Sequence, residues 1–155
     1  MKSKKLARIP KPSSESATSR MKLQKSRNTE CELQLRSALH RIGLRFRTHR
    51  SLLPRRTADI VFVSAKVVVF VNGCFWHGCR RHIGWPKSNI RWWKNKIYNN
   101  VIRDQDTDYR LRQAGWKVVR TWEHDTPSVV AQRVASILKK PKRSYRRSFS
   151  SSGSY

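Results

Sequence analysis

Four potential metal ligands stand out in the sequence. Two cysteines and a histidine occur within nine residues, and a second histidine follows much later, giving the set Cys74, Cys79, His82 and His124. Thiolate and imidazole are ligands that Zn²⁺ prefers, and four of them fill a tetrahedral structural site. The spacing is irregular for a zinc finger, so coincidence stays open as the alternative. A closed site of this kind would staple a loop rather than perform chemistry.

Two other residues, Asp59 and His77, could carry chemistry. Asp59 begins an apolar strand, which is an unfavourable place for a charge unless something binds it. A carboxylate there, near a backbone carbonyl of the next strand, can bind Mg²⁺, which also takes phosphate oxygens. An ordinary turn or cap role is the alternative. His77 lies among the zinc candidates without being needed as one, so it could transfer protons, or be an exposed histidine without a role.

Aromatic residues accompany these groups. Phe75 and Trp76 belong to the same loop, and Trp93 follows, amid arginines and lysines. Apolar wedges beside positive charge are how some proteins unstack and kink DNA. Trp93 could equally be a core residue, because it shares a helical face with Ile97 and Val101.

The charge balance points to a polyanionic partner. The 35 Lys and Arg residues against 9 Asp and Glu give a net charge of +26, which creates a field that attracts nucleic acid. No apolar stretch has the length of a signal peptide or a membrane span. Three cysteines argue against a disulfide framework and suit a reducing compartment. We therefore expect a soluble, cytoplasmic protein without a membrane partner, and a monomer.

The length and composition predict one domain with two basic tails. Residues 1–28 carry nine Lys and Arg and no apolar periodicity, so we interpret them as a flexible arm. Residues 140–155 have a similar composition and are predicted to be a disordered tail. The folded domain is expected to span residues 29–139.

Periodicity predicts the elements of that domain. Thr29 and Glu32 have the spacing of a capping box and predict the start of a helix that ends at Gly43. Its apolar face is formed by Cys31, Leu35, Ala38, Leu39 and Ile42. On this count Cys31 is a core residue. A strand is expected at Leu44, Phe46 and Thr48, and a buried hairpin at 59–63 and 66–71. A helix over 89–113 closed by Gly115, a strand over 116–122 and a last helix follow. The order α-β-β-β-α-β-α predicts an α/β sandwich with a mixed sheet.

Taken together, these residues resemble the very short patch repair endonucleases, the Vsr family. The match runs in order from about Arg20 to Leu138 and consists of Met21, Thr29-x-x-Glu32-x-x-Leu35, Asp59, Gly73-Cys-Phe-Trp-His-Gly-Cys79, Trp93-x-x-Lys96, Asn100-x-x-Arg103-Asp104, Gly115-Trp116-x-Val118 and Trp122-Glu-His124. The resemblance implies a restriction-endonuclease-like fold of the PD-(D/E)xK type, a mixed β-sheet flanked by helices, with a structural zinc site. It also implies Mg²⁺-dependent nicking of one DNA strand, 5′ to the mismatched T of a T:G pair left by deamination of 5-methylcytosine.

The resemblance further implies individual roles. Asp59 would bind magnesium through its side chain and Val71 through its backbone carbonyl, with Glu32 ordering the metal's water shell. His77 would act as a general acid or base. Zinc would be held by the four ligands named above. The intercalating residues would be Phe75, Trp76 and Trp93, while the arm around Met21 would clamp the opposite groove.

One departure from the family pattern concerns Asn72, which stands where the family carries an acid or a histidine. Its amide can hydrogen-bond in the catalytic site but does not titrate near neutral pH. Two alternatives to mismatch repair therefore stay open: a related nuclease acting in restriction or homing, and a DNA-binding homologue impaired in catalysis. General mismatch-repair proteins are possible partners of the repair enzyme.

Overall fold

A four-stranded sheet and three helices make up the computed structural model, which describes residues 15 and 27–139. The elements follow the predicted order: α1 (Glu30–Arg41), β1 (Arg47–Leu53), β2 (Arg56–Phe62), β3 (Val67–Asn72), α2 (Ile90–Gln113), β4 (Lys117–Trp122) and α3 (Pro127–Lys139). Most of the predicted arm, with Met21, and the predicted tail over 140–155 lie outside the described residues. Within the described residues, no helix is both long and apolar enough to cross a membrane.

The sheet is mixed, as predicted. Its strand order is β1-β2-β3-β4, with antiparallel pairing of β1 with β2 and of β2 with β3. The pairing of β3 with β4 is parallel and extends to Asn72 opposite Trp122. Parallel neighbours need a crossover connection, which α2 supplies. The carboxyl ends of β3 and β4 therefore lie side by side, and the loops that leave them start from the same edge.

Alternation along the strands divides the interior into two clusters. On one face of the sheet, Ile60, Val67 and Val69 pack with Leu39 of α1 and Val134 of α3. On the opposite face, Val61, Val68 and Phe70 pack with Leu111 of α2. Because strand side chains alternate between faces, the continuous apolar runs of β2 and β3 fill both clusters. The result is a sheet covered by helices on its two faces.

Three local predictions need correction. Leu44 and Phe46 precede β1 and pack against the first cluster instead of forming the strand. Ile42 is 46% exposed, and Cys31 is half-buried beside a cavity rather than in the core. The buried stripe of α1 instead includes the polar residue Glu32, because hydrogen bonds to neighbouring polar groups compensate its burial, and helical counting of apolar residues overlooks it.

The start of α1 also differs from the prediction. Thr29 is the N-cap residue, but its side chain makes no hydrogen bond to the helix backbone. Its hydroxyl instead donates to Glu32 Oε1 at 3.1 Å, while Glu32 Oε2 accepts the backbone N–H of Asn28 at 3.0 Å. The capping-box residues therefore meet each other without forming the reciprocal backbone bonds of a capping box.

We expect Leu39→Ala to lower the free energy of unfolding by about 2–5 kcal/mol, because it leaves a cavity where α1 and α3 meet the sheet. Leu39 is 0% exposed, whereas Leu33 on the same helix is 46% exposed. The matched control Leu33→Ala should change stability by less than about 0.5 kcal/mol. Urea unfolding monitored by circular dichroism measures both. Equal effects of the two substitutions would contradict the described packing of α1.

Candidate active site

A cavity of about 630 Å³ lies at the carboxyl end of β3, between α1 and α2. It is lined by the predicted catalytic residues Glu32, Asp59, Asn72 and His77, and by Val71. The same wall carries the basic residues Arg27, Arg55, Arg56, Lys96, Arg103 and Arg120. The structure thus brings the predicted catalytic residues together in one cavity with a positively charged lining.

Asp59 is held at the base of this cavity by the neighbouring strand. The backbone N–H of Val71 donates to Asp59 Oδ2 at 2.8 Å. Burial raises the pKa of Asp59 from 3.8 to about 6, and nearby Glu32 also raises it, whereas the hydrogen bond from Val71 lowers it. A carboxylate so far desolvated gains from a cation placed beside it. The proposed second ligand, the carbonyl of Val71, stays a prediction.

Glu32, His49 and Asp59 form a group whose potential ligand atoms all lie within 4.8 Å of one another. A cation of the protein already lies among them, because Arg36 donates to Glu32 Oε2 and contacts His49 Nε2, each at 3.0 Å. Asn28 completes the group, with its side-chain oxygen 2.8 Å from Arg36 Nη1. Because Arg36 already contacts Glu32 and His49, Asp59 is better placed than either of them to contact a metal ion directly.

His77 lies in the loop after β3 and is paired with a residue of α2. Its Nδ1 is hydrogen-bonded to Asp104 Oδ2. A carboxylate on one ring nitrogen fixes the orientation of an imidazole, which leaves Nε2 as the nitrogen for proton transfer. No role for Asp104 is predicted from the sequence. The only signal available was its place in the run from Asn100 to Asp104, which does not reveal which histidine it meets.

Asn72 is 5% exposed at the last position of β3. Its side-chain oxygen accepts a hydrogen bond from Arg120 Nη1 at 2.9 Å, and its backbone carbonyl accepts one from the N–H of Glu123 at 3.0 Å. The amide is therefore fixed in the wall of the cavity. This geometry suits a hydrogen-bonding role and not proton transfer.

The four predicted zinc ligands converge beside the cavity. Cys74 Sγ is 3.0 Å from His124 Nδ1, and His82 Nδ1 is 3.1 Å from His124 Nδ1. Each sulfur, of Cys74 and of Cys79, is 3.7 Å from His82 Nδ1. Metal–ligand bonds of 2.0–2.3 Å in a tetrahedron correspond to ligand separations of about 3.3–3.8 Å. The donor set and its spacing therefore fit Zn²⁺ with little rearrangement.

The two thiols differ in acidity. Burial, together with contacts to Cys79 and Glu123, raises the pKa of Cys74 to about 12. Burial also acts to raise the pKa of Cys79, but hydrogen bonds from the backbone of Arg81 and His82 outweigh it, so that pKa is lowered. One thiol is thus prepared to lose its proton, and a bound cation would favour the second deprotonation.

Neighbouring acids hold this cluster in place. Glu123 Oε1 accepts the backbone N–H of Cys74 at 2.7 Å. Asp125 accepts the backbone N–H of Trp122 and the hydroxyl of Thr121, at 2.9 and 2.8 Å, which stabilises the turn that carries His124. Such outer partners orient metal ligands.

Three aromatic rings gather at the outer part of the same loop. The ring centroids of Phe75 and Trp93 are 5.3 Å apart, and those of Trp76 and Trp93 are 5.9 Å apart. All three side chains are half-buried, so Trp93 belongs to this cluster and not to the main core. Asn100 donates to the carbonyl of Trp76 at 3.0 Å and ties the loop to α2.

The loop approaches α2 closely at Gly78. This residue has φ +67°, and a Cβ there would lie 3.2 Å from Ile97 Cγ2. Both the left-handed backbone and the close approach favour glycine. Gly78 therefore allows the loop to place His77 against Asp104.

The raised pKa of Asp59 predicts a pH dependence of stability. Between about pH 4 and 6 the folded chain retains a proton that the unfolded chain has released, so the free energy of unfolding falls as the pH rises through this window. Asp59→Asn removes that penalty and retains an oxygen for the N–H of Val71. We expect this variant to be more stable than the parent at pH 7, by roughly 1–3 kcal/mol, and equally stable below pH 4. Urea unfolding without added Mg²⁺ measures the difference.

The control is Asp106→Asn, because Asp106 is ion-paired with Arg56 and Arg110 at the surface of α2. This substitution should not stabilise the protein at pH 7. A stability difference between Asp59→Asn and the parent that is the same at pH 4 and pH 7 would contradict the predicted titration.

Comparison with known proteins identifies a family and several relatives of this chain. Residues 11–82 match the family described as DNA mismatch endonuclease Vsr. The type II nicking enzyme V.XorIIP of Xanthomonas oryzae pv. oryzae is 49% identical over 100 residues, which cover 64% of this chain and 73% of that protein. The type II nicking enzyme V.NaeI of Lentzea aerocolonigenes is 38% identical over 120 residues, covering 75% and 72% of the two chains. The DNA mismatch endonuclease Vsr of Escherichia coli K12 is 37% identical over 99 residues, covering 63% of each chain. The family resemblance noted in the sequence is confirmed, and the chain belongs to the DNA mismatch endonuclease Vsr family.

Proposed function

We propose that this protein is a DNA mismatch endonuclease that nicks one strand 5′ to the mismatched T of a T:G pair, by Mg²⁺-dependent hydrolysis on a restriction-endonuclease-like fold. The observation that carries the proposal is the joint placement of Asp59 and the His77–Asp104 pair in one basic cavity. The aromatic cluster beside this cavity and the membership of the Vsr family support it.

Asp59 fits Mg²⁺ because it is a partly buried carboxylate that faces a cavity open to phosphate. A magnesium ion held there by Asp59 and the carbonyl of Val71 would polarise the scissile phosphate and acidify a bound water. His77 would move the proton at Nε2, and Asp104 would hold the ring in place through Nδ1. Glu32, held by Arg36, would order water at the edge of this centre.

The surrounding residues suit a distorted duplex. The basic residues of the cavity wall other than Arg120, such as Lys96 and Arg103, would contact phosphates, which gives salt-dependent affinity. The rings of Phe75, Trp76 and Trp93 would enter the base stack next to the mismatch, since apolar wedges beside basic groups unstack DNA. Part of each ring is accessible to a base in the free protein.

The zinc cluster would have a structural role. With four protein ligands at Cys74, Cys79, His82 and His124, a zinc ion would have no open position. It would join the loop after β3 to the end of β4 and so fix the loop that carries His77. Residues 29–139 would form the endonuclease domain, residues 1–28 a basic arm whose Met21 clamps the DNA, and residues 140–155 a basic tail. The enzyme would act as a monomer, with general mismatch-repair proteins as possible partners.

The proposed function predicts a nicking pattern. We expect the protein with Mg²⁺ to cut one strand of an end-labelled T:G duplex, 5′ to the mismatched T, and to leave the matched C:G duplex intact. Asp59→Ala should lower the rate by at least roughly 10²-fold, because the metal contact is lost, while Asp106→Ala on the surface of α2 should retain it. Denaturing electrophoresis separates the products.

Cleavage of the matched duplex would instead favour a nuclease of restriction or homing. Salt-sensitive binding without cleavage, unchanged by Asp59→Ala, would favour a DNA-binding protein impaired in catalysis.

The zinc site gives a separate prediction. The purified protein should contain about one zinc per chain, measured by mass spectrometry of the metal. Cys79→Ala should lose the ion and unfold at a lower temperature, because binding of a structural metal contributes to folding. Cys31→Ala is the matched control, since Cys31 lies outside the ligand group and should leave the zinc content unchanged. A zinc content unaffected by Cys79→Ala would contradict the proposed ligand set.

A further inference from the structure

Arg120 lies on β4 and donates hydrogen bonds to residues of β3 and α2 near His77. Its Nε donates to Asp108 Oδ1 of α2 at 2.9 Å, and its Nη1 donates to the side-chain oxygen of Asn72 at the end of β3, also at 2.9 Å. Its Nη2 donates to the backbone carbonyl of Asp104 at 3.2 Å. One guanidinium therefore links β3, β4 and α2 at the wall of the cavity.

The same guanidinium shares a carboxylate oxygen with His77. Arg120 Nη1 is 3.7 Å from Asp104 Oδ2, the atom that His77 Nδ1 contacts. Arg120 holds the carbonyl of the same residue, so both the backbone and the carboxylate of Asp104 are positioned relative to β4. The orientation of the imidazole then depends on Arg120 through Asp104.

The alternative role for a cavity arginine is direct contact with a DNA phosphate. All three nitrogens of Arg120 already hydrogen-bond within the protein, and its guanidinium carbon lies 4.6 Å from the centroid of the Phe70 ring. A planar fork can satisfy several acceptors at once, which a lysine ammonium cannot do in the same geometry. These contacts favour an internal role over binding of phosphate.

We propose that Arg120 is a positioning residue that fixes Asp104 and Asn72 and thereby sets the orientation of His77 for proton transfer. This inference rests on the proposed nicking function, because it deepens the role of His77. It also makes a structural claim about the free protein, which can be tested without any substrate.

The experiment combines kinetics with imidazole spectroscopy. In Arg120→Gln we expect kcat for the T:G duplex to fall roughly 10- to 100-fold, by analogy with the loss of outer partners that orient metal ligands. The Kd for DNA and its dependence on salt should stay within about twofold, because no phosphate contact is removed. Arg120→Lys should recover only part of kcat, since it restores the charge without the fork.

The spectroscopic arm follows the Nδ1–H signal of His77 in protein with ¹⁵N-labelled histidine, assigned by its loss in His77→Gln. A proton bound between Nδ1 and a carboxylate resonates far downfield. We expect this signal to be shifted or broadened in Arg120→Gln while the circular dichroism spectrum and zinc content are unchanged. Should Arg120→Gln fail to fold, Asp108→Asn serves instead, because it loosens Arg120 without removing its charge.

Arg112→Gln is the matched control. Arg112 also contacts Asp108, at 3.4 Å, but its side chain is 58% exposed, so both kcat and the His77 signal should be unchanged. An unaltered signal in Arg120→Gln would overturn the proposal, as would weaker DNA binding with a reduced salt slope and unchanged kcat. A wild-type protein that nicks no duplex would refute the proposed function, and the His77 signal would still decide the role of Arg120.

Discussion

Parallel pairing of β3 with β4 is the constraint on which the site depends. It places the ends of two strands side by side, with Asn72 opposite Trp122. A pair of hydrogen bonds continues this alignment past the strands: the N–H of Glu123 donates to the carbonyl of Asn72, and the N–H of Cys74 donates to the side chain of Glu123. The two loops that leave the sheet therefore start in register, so Cys74 and His124 meet although fifty residues separate them.

The loop after β3, which carries His77, has a mostly irregular backbone. Contacts on two sides hold it in place. On one side, the contact of Cys74 with His124 joins it to the turn after β4. On the other side, α2 supplies Asp104 to His77, and Asn100 to the carbonyl of Trp76. Asp104 and Asn100 lie on a helix, and His124 lies on the turn directly after β4. Sites built on helices and strands hold their geometry better than sites on loops alone. The loop can thus lack regular secondary structure and still hold the imidazole of His77 in one orientation.

Features carried by residue type or periodicity could be predicted from the sequence. The β-branched runs of β2 and β3 predicted the buried hairpin, and the rarity of cysteine and histidine marked the metal-ligand group. Features that depend on contacts between distant elements could not be predicted. Asp104 and Arg120 look like ordinary charges of a helix and a strand, and only the packing of α2 on the sheet shows that they meet at His77. The prediction that Cys31 is a core residue was wrong for a related reason. Helical counting cannot show which part of a helix face lies beside a cavity.

The pairing of the few acidic residues distinguishes Asp59 from the others. The chain has 35 basic and 9 acidic residues, and most acids in the described part of the chain are paired with basic residues. Glu32 is paired with Arg36, and Asp104 with His77. Asp106 and Asp108 meet arginines of β2, α2 and β4.

Asp59 differs from these acids. Within residues 27–139 it has no ion pair within 4 Å among those the structure gives, and its hydrogen bond comes from a backbone amide. Burial without a paired cation raises its pKa to about 6, because the interior stabilises a lone charge poorly. Glu32 and Asp104, which also line the cavity, are paired with Arg36 and His77, whereas Asp59 has no such partner among the described residues, so a cation placed beside Asp59 would be stabilised. For this physical reason we place the proposed Mg²⁺ at Asp59, whose carboxylate is unpaired, and not at Glu32, whose carboxylate is paired with Arg36.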